Sequence, residues 1–139
     1  HGPDGDLQAL HRTYLADVEP RKKLTKPVDT VRGGAVRLFE PGPVLGLSEG
    51  IETACACHER TGLPVWALIS ANGMESWTPP AGIQRLVIFG DCDRSFAGQA
   101  AAYVLARRLS RDGFAVDVQI PRAWDTDWLD VHAGTLAGA

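Results

Sequence analysis

Two apolar runs, each ending in acidic residues, constrain the fold of this chain more than any other feature. The first run covers 44–48 and is followed by Glu49, and the second covers 86–90 and is followed by Asp91 and Asp93. Each run has the length and composition of a buried strand, and a helical pattern follows it. In open parallel sheets, ligands bind outside the carboxyl ends of the strands. The sequence therefore predicts a carboxylate cluster there, which suits Mg²⁺ and phosphate chemistry.

Strands and helices alternate from residue 44 onward. Gly62 and Pro64 end the first helical pattern, and Gly113 ends the longer one. This alternation predicts an α/β domain with a parallel sheet of about four strands, right-handed crossovers and flanking helices. The predicted elements are strand 44–48, helix 51–60, strand 65–70, strand 86–90, helix 96–111 and strand 115–120.

Residues 1–43 have a different character. Partial alternation predicts one strand over 7–15 and another over 33–39, with a basic linker over 20–27 between them. We therefore expect a small β extension in front of a main domain that covers 44–139.

The net charge of −3 hides an uneven distribution of charge along the chain. Six basic residues and one acid lie between Arg21 and Arg37, whereas acids outnumber basic residues from Glu49 onward. A basic segment beside an acidic core could hold a polyanion against bound metal, and a solvated surface loop is an equal alternative. The candidate nucleic-acid-binding residues are Lys22, Lys23, Arg32, Arg37 and Arg94.

Composition excludes several classes of protein. A chain of 139 residues with 45% hydrophobic residues can bury the core of one domain and does not have the composition of a disordered protein. No apolar run approaches the roughly 20 residues of a membrane span, and the polar start does not match a secretory signal. Three irregularly spaced cysteines favour a reducing, cytoplasmic setting. Buried free thiols explain them better than a zinc site built from Cys55, Cys57, His58 and Cys92.

Sequence motifs narrow the chemistry further. The chain lacks a P-loop, the glycine fingerprint of dinucleotide-binding folds and the G-x-S-x-G elbow. Phosphatases of the haloacid dehalogenase type usually carry an aspartate pair on their first core strand, whereas Asp91 and Asp93 follow the third. These two residues could also form a turn and helix N-cap, although the company of Glu49 favours a functional role. Asp125 and Asp127, after the last strand, either complete a metal site or form a polar turn.

These residues resemble the Toprim domain, which DnaG-type primases share with topoisomerases, some nucleases and recombination proteins. Glu49 after one strand and Asp91-x-Asp93 two strands later are similar to its acidic signatures. The run that follows the pair resembles the primase sequence, with two extra residues before Gly98. The segment 125–130 resembles the primase D-P-D segment. The surrounding sequence is similar to primases and primase-helicases of phages, plasmids and integrated elements.

The resemblance implies distinct roles for these acids. Glu49 would act as general base or acid in nucleotidyl transfer and could also ligate metal, while Asp91 and Asp93 would bind Mg²⁺ or Mn²⁺. Asp125 and Asp127 would be further metal ligands.

The resemblance also implies a DNA primase that makes RNA primers from nucleoside triphosphates on single-stranded DNA. Zinc-binding and helicase domains would then belong to the parent protein. Thr53 stands where DnaG-type primases have an acid, so the role of that acid does not transfer directly. Two alternatives remain open: a Toprim nuclease that cleaves phosphodiesters, and a non-catalytic module that binds metal and nucleic acid.

Overall fold

The computed structural model describes residues 1–28 and 31–137 of the chain. Asp29 and Thr30 of the basic segment, and the last two residues of the predicted main domain, lie outside the described residues. No helix in this part of the chain is long and apolar enough to cross a membrane. The elements in chain order are β1 (His11–Thr13), β2 (Lys22–Leu24), β3 (Val44–Ser48), α1 (Ile51–Thr61), β4 (Val65–Ala67), α2 (Ala71–Ser76), β5 (Arg85–Phe89), α3 (Ala97–Arg111), β6 (Ala115–Gln119) and α4 (Trp128–Ala137).

Four parallel strands form the main sheet, in the order β4-β3-β5-β6. Ser48 of β3 pairs with Ala67 of β4 on one side and with Phe89 of β5 on the other. The chain passes from β3 outward to β4 and then returns past β3 to β5, so the strand order reverses between β3 and β5. The predicted α/β fold, with four parallel strands and flanking helices, is confirmed.

Both faces of this sheet are buried because the strand side chains alternate between two hydrophobic clusters. One cluster packs Leu86 and Ile88 against α2 and α3, and the other packs Val87 and Phe89 against α1 and α4. Burial of a side chain as large as Phe89 stabilises the fold by about 1.5–3 kcal/mol. Burial on both faces explains why β3 and β5 are continuous apolar runs in the sequence.

The predicted N-terminal β extension is present, but its strands differ from the prediction. The strand predicted over 7–15 is reduced to β1, which pairs antiparallel with β2. β2 lies in the predicted basic linker, and its exposed residues show no apolar alternation that could reveal it. The prediction of a strand over 33–39 is wrong, because in this segment only Val36 forms a bridge, which is antiparallel to Ala67. Gly33 adopts φ +71°, a left-handed conformation that interrupts a strand.

Two helices are absent from the sequence prediction. α2 follows β4, and the hydroxyl of Ser70 caps it by accepting from the N–H of Gly73 at 3.1 Å. A Cβ on Gly73 would clash with the carbonyl oxygen of Leu68, so this close turn requires glycine. α4 follows the late acidic segment and packs against α1.

The prediction of buried free thiols holds for two of the three cysteines. Cys57 and Cys92 are buried, whereas Cys55 is exposed on α1, and all three are unpaired. Burial raises the pKa of the Cys57 thiol to about 12, with the charge of Asp91 adding to it. Cys57 is therefore an inert core residue.

Candidate active site

Glu49 and Asp91 lie beyond the carboxyl ends of the two central strands, the location that the sequence predicts for them. β3 and β5 run parallel with Ser48 opposite Phe89, so the chain delivers both acids to the same edge of the sheet. Both residues are half-buried. The strand order reverses at this point, which is where open α/β sheets bind their ligands.

The carboxylates at this edge repel one another. The pKa of Asp91 is raised to about 6, first by burial and then by the charges of Asp127, Glu49, Asp93 and Asp130. The pKa of Glu49 is also raised, first by burial and then by the charge of Asp93. Oδ1 of Asp91 is buried and has no hydrogen-bond partner among the described residues. A bound cation would reduce the repulsion between the carboxylates and would give the unpaired oxygen of Asp91 a partner.

Asp93 caps α3 in addition to facing the other acids. Its carboxylate accepts hydrogen bonds from the hydroxyl of Ser95, from the N–H of Gly98 at 2.8 Å and from the N–H of Ala97 at 3.2 Å. These bonds lower the pKa of Asp93, and the bond from Ser95 has the largest effect. Asp93 is therefore ionised at neutral pH. The capping role weighed from the sequence is therefore present, and an ionised carboxylate has acceptor sites left for a cation.

Gly98 allows α3 to approach the two aspartates closely. A Cβ on Gly98 would lie 3.1 Å from the carbonyl oxygen of Asp91 and 3.1 Å from Oδ2 of Asp93. These distances are tighter than ordinary carbon–oxygen contacts. Gly98 thus has a packing role at the edge of the site.

The late acidic segment pairs with the loop that carries the aspartates. Cys92 and Thr126 form an isolated antiparallel bridge, and the N–H of Asp125 donates to the carbonyl of Cys92 at 2.6 Å. The Asp125 carboxylate accepts from Nε of Arg94 at 2.7 Å on the surface. Asp125 therefore lies beside the acidic edge, with its charge balanced by an arginine.

Asp127 caps α4 and also acts on the acidic edge. Its Oδ1 accepts from the N–H of Asp130 at 2.8 Å, and Oδ2 of Asp130 accepts from the N–H of Asp127 at 3.2 Å. This reciprocal arrangement is a capping box made with two aspartates. Among the charged residues that raise the pKa of Asp91, Asp127 has the largest effect. Sequence reasoning missed Asp130 and α4, although the D-x-x-D spacing could have revealed both.

The acidic edge suits a cation that needs few protein ligands. Within residues 1–28 and 31–137, no three histidine, cysteine, aspartate or glutamate side chains converge into a metal-binding group, so the zinc site weighed from the sequence has no support. Mg²⁺ differs from zinc, because it keeps several waters and is bound through one or two carboxylates together with substrate phosphates. The unpaired Oδ1 of Asp91 and the ionised carboxylate of Asp93 fit that requirement.

The basic residues predicted to bind nucleic acid lie in different environments. Lys22 forms a salt bridge with Glu52 at 2.9 Å, which ties β2 to α1. Arg37 is partly buried, with its guanidinium 4.9 Å from the centre of the Trp66 ring and a 2.9 Å hydrogen bond to a carbonyl near the N-terminus. Their role in nucleic-acid binding stays a prediction. The exposed members of the set are Lys22, Lys23, Arg32 and Arg94.

A cavity of about 680 Å³ lies between the N-terminal extension and the carboxyl end of β4. Ile69 forms part of its wall, and the N–H of Ile69 donates to the carbonyl of Glu49 at 2.8 Å. Ile69 therefore links the cavity to the backbone of the candidate proton-transfer residue, although Glu49 does not itself line the cavity. Ile69 adopts φ +71°, which is strained for a β-branched residue, and strain of this kind clusters at functional sites.

Comparison with known families identifies the fold that carries this acidic edge. The profile of the Toprim domain matches residues 44–138, which is well over half of the chain. The chain belongs to the Toprim domain family. No curated protein matches this Toprim chain.

Two solved structures share the Toprim fold of this chain. A DNA primase domain from Pseudomonas aeruginosa aligns with a TM-score of 0.62 and 16% identity, covering 91% of this chain and 42% of that one. The DnaG catalytic core aligns with a TM-score of 0.66 and 16% identity, covering 95% of this chain and 46% of that one. The Toprim chain thus spans less than half the length of either structure, and at this identity the likeness concerns the fold.

Proposed function

We propose that this chain is the catalytic Toprim domain of a DNA primase of the kind found in phages, plasmids and integrated elements. The domain would synthesise RNA primers on single-stranded DNA by metal-dependent nucleotidyl transfer. One observation carries the proposal: Glu49 and Asp91 are half-buried side by side at the strand-order reversal of a Toprim fold. Neither carboxylate has a hydrogen-bond partner in the described part of the chain, so both are available to substrate or cation.

Glu49 is the proposed general base or acid. Burial and the charge of Asp93 raise its pKa, so its carboxylate accepts a proton from an attacking 3′-hydroxyl more readily than an exposed glutamate does. Asp91 and Asp93 would hold Mg²⁺ or Mn²⁺, with Glu49, Asp125 and Asp127 as further candidate ligands. When bound, the cation neutralises triphosphate charge and helps to orient the reacting groups.

The cavity between the N-terminal extension and β4 suits nucleotide substrates. This cavity of about 680 Å³ falls in the size range of small-molecule sites, and His11 and Arg32 contribute to its wall. Nucleoside triphosphates are the substrates proposed for this region. The residues proposed to contact the DNA backbone are Lys22, Lys23, Arg32, Arg37 and Arg94, because cations that neutralise phosphates release counterions on binding.

The proposed domain division places the β extension and basic linker in 1–43 and the catalytic domain in 44–139. Template engagement and unwinding are proposed to involve further domains of a parent protein. A zinc-binding module and a helicase are the partners proposed for those tasks.

Primer synthesis is tested by incubating the protein with single-stranded DNA, labelled nucleoside triphosphates and Mg²⁺ or Mn²⁺. We expect short RNA products that disappear in the Glu49→Gln and Asp91→Asn variants. Glu59→Gln is the matched control, because Glu59 lies on α1 and pairs with His132 at 2.9 Å, outside the acidic edge. Full activity of Glu49→Gln would contradict the catalytic assignment, and cleavage of the DNA without RNA products would identify a nuclease instead.

A further inference from the structure

Two aromatic side chains are exposed beside the acidic edge. Phe96 is 57% exposed and Trp124 is 50% exposed, and their rings meet edge to face with centroids 5.4 Å apart. Aromatic side chains of this size normally bury most of their surface in a core or an interface. An exposed aromatic pair therefore indicates a surface that contacts another molecule.

Backbone hydrogen bonds hold this aromatic pair close to the aspartates. The N–H of Phe96 donates to the carbonyl of Asp93 at 3.1 Å. Trp124 directly precedes Asp125, whose N–H donates to the carbonyl of Cys92 at 2.6 Å. Each ring is thus attached to one of the two segments that the Cys92–Thr126 bridge brings together.

The backbone at Phe96 carries strain to present this ring. Phe96 adopts φ +63°, a left-handed conformation that is unusual for a bulky residue and that glycine would adopt without cost. A strained aromatic residue that is exposed and contributes nothing to the core is best explained by a role in binding.

Two exposed arginines near the pair favour a nucleic acid as the partner. Arg94 precedes Phe96 by two residues, and Arg122 precedes Trp124 by two residues, so each ring has an arginine at the same spacing. Both arginines are exposed, and Arg94 also bonds to Asp125. Aromatic rings next to arginines are the combination with which proteins bind single-stranded nucleic acid, since the rings stack on bases and the cations contact phosphates.

We propose that Phe96 and Trp124 form a stacking platform for a base of single-stranded DNA next to the acidic edge. This inference rests on the proposed function only in taking single-stranded DNA as the bound polymer. The platform holds the strand through a face that every base presents, so it has no sequence preference of its own. Its role is to position the strand close to the aspartates, and it takes no part in the chemistry.

The test is equilibrium binding of a fluorescently labelled oligothymidylate, followed by anisotropy in Mg²⁺ without nucleoside triphosphates. We expect Phe96→Ala and Trp124→Ala each to weaken binding by about 5- to 140-fold, which corresponds to the loss of one stacked base. Phe96→Tyr keeps an aromatic ring and should bind as the wild type does. Tyr103→Ala is the control, because Tyr103 is a similarly exposed aromatic residue (59%) further along α3.

Two further ligands distinguish base stacking from binding through phosphates alone and from binding of a single nucleotide. An abasic oligonucleotide with the same number of phosphates should bind the wild type as weakly as the oligothymidylate binds the alanine variants. Equal binding of both strands, or unchanged binding by both alanine variants in a folded state checked by circular dichroism, would overturn the proposal. A loss of affinity for free thymidine triphosphate without a loss for the strand would also overturn it, because the base would then belong to a nucleotide.

The platform and the proposed primase activity fail independently. Tight, base-dependent binding without primer synthesis would retain the platform and reject the primase. Primer synthesis together with unchanged binding by Phe96→Ala and Trp124→Ala would retain the primase and reject the platform.

Discussion

Replacing Asp91 by asparagine should stabilise the metal-free protein at neutral pH. Asparagine has the same shape as aspartate but no charge, so it leaves the packing almost unchanged. It removes first the cost of burying a charge and then the repulsion from Asp127, Glu49, Asp93 and Asp130. Substitution of a partly buried residue usually destabilises a protein. A gain in stability would therefore identify Asp91 as a residue whose charge opposes folding.

The magnitude follows from the pKa of Asp91. Folding raises this pKa from 3.8 to about 6, so the folded state binds the proton more tightly than the unfolded state does. The stability that protonated Asp91 contributes is present below about pH 4 and is lost as the pH rises through 6. A shift of this size is worth about 3 kcal/mol at most. Because the carboxyl is only half-buried, solvent screening reduces the expected effect to about 1–2 kcal/mol.

The assay is urea unfolding of both proteins in EDTA at pH 4, 6 and 8. We expect the free energies of unfolding to agree at pH 4, and Asp91→Asn to be more stable by about 1–2 kcal/mol at pH 8. Addition of Mg²⁺ at pH 8 should stabilise the wild type but not the variant, because only the wild type gains a cation at this position. A difference between the two proteins that does not change with pH would refute the electrostatic reasoning.

Three further predictions test the structure around the site. Gly98→Ala should lower the free energy of unfolding by about 1–3 kcal/mol, measured in urea, because the new methyl group crowds the carboxylate of Asp93. Asp127→Ala should be less stable than Asp127→Asn by about 1 kcal/mol in the same assay, because both variants remove the charge that acts on Asp91 but only asparagine still caps α4. Brief iodoacetamide treatment of the native protein should modify Cys55 and spare Cys57, as measured by mass spectrometry. Cys57 is buried and its pKa is about 12, so no thiolate is available to react. Equal labelling of both residues would show that α1 is not packed as described.

Much of the main domain could be predicted from the sequence because its signals are local. The buried strands β3 and β5 are continuous apolar runs, and Gly62 adopts the left-handed conformation that ends α1. The acidic residues that follow these runs reach one edge because parallel strands share their carboxyl ends. The strand-end location of Glu49 and Asp91 therefore needed only the order of the elements.

The remaining features depend on contacts that no local pattern encodes. β2 is a strand because it pairs with β1 and because Lys22 reaches Glu52. Its own residues are all exposed, and two of the three are lysines. The influence of Asp127 on Asp91 depends on the bridge that joins two distant segments of the chain. The left-handed conformation of Phe96 is unfavourable for that residue, so its propensity could not have indicated it.

The capping bonds of Asp93 and Asp127 have a consequence for the evolutionary history of such chains. Both residues hold helix termini, so selection for folding alone would preserve them in a descendant that had lost its chemistry. Glu49 and Asp91 hold nothing in place, and the charge of Asp91 weakens the fold. In a descendant released from selection for activity, Glu49 and Asp91 should therefore be replaced first. Retention of all four acids would indicate a working site, whereas retention of Asp93 and Asp127 alone would indicate only a preserved fold.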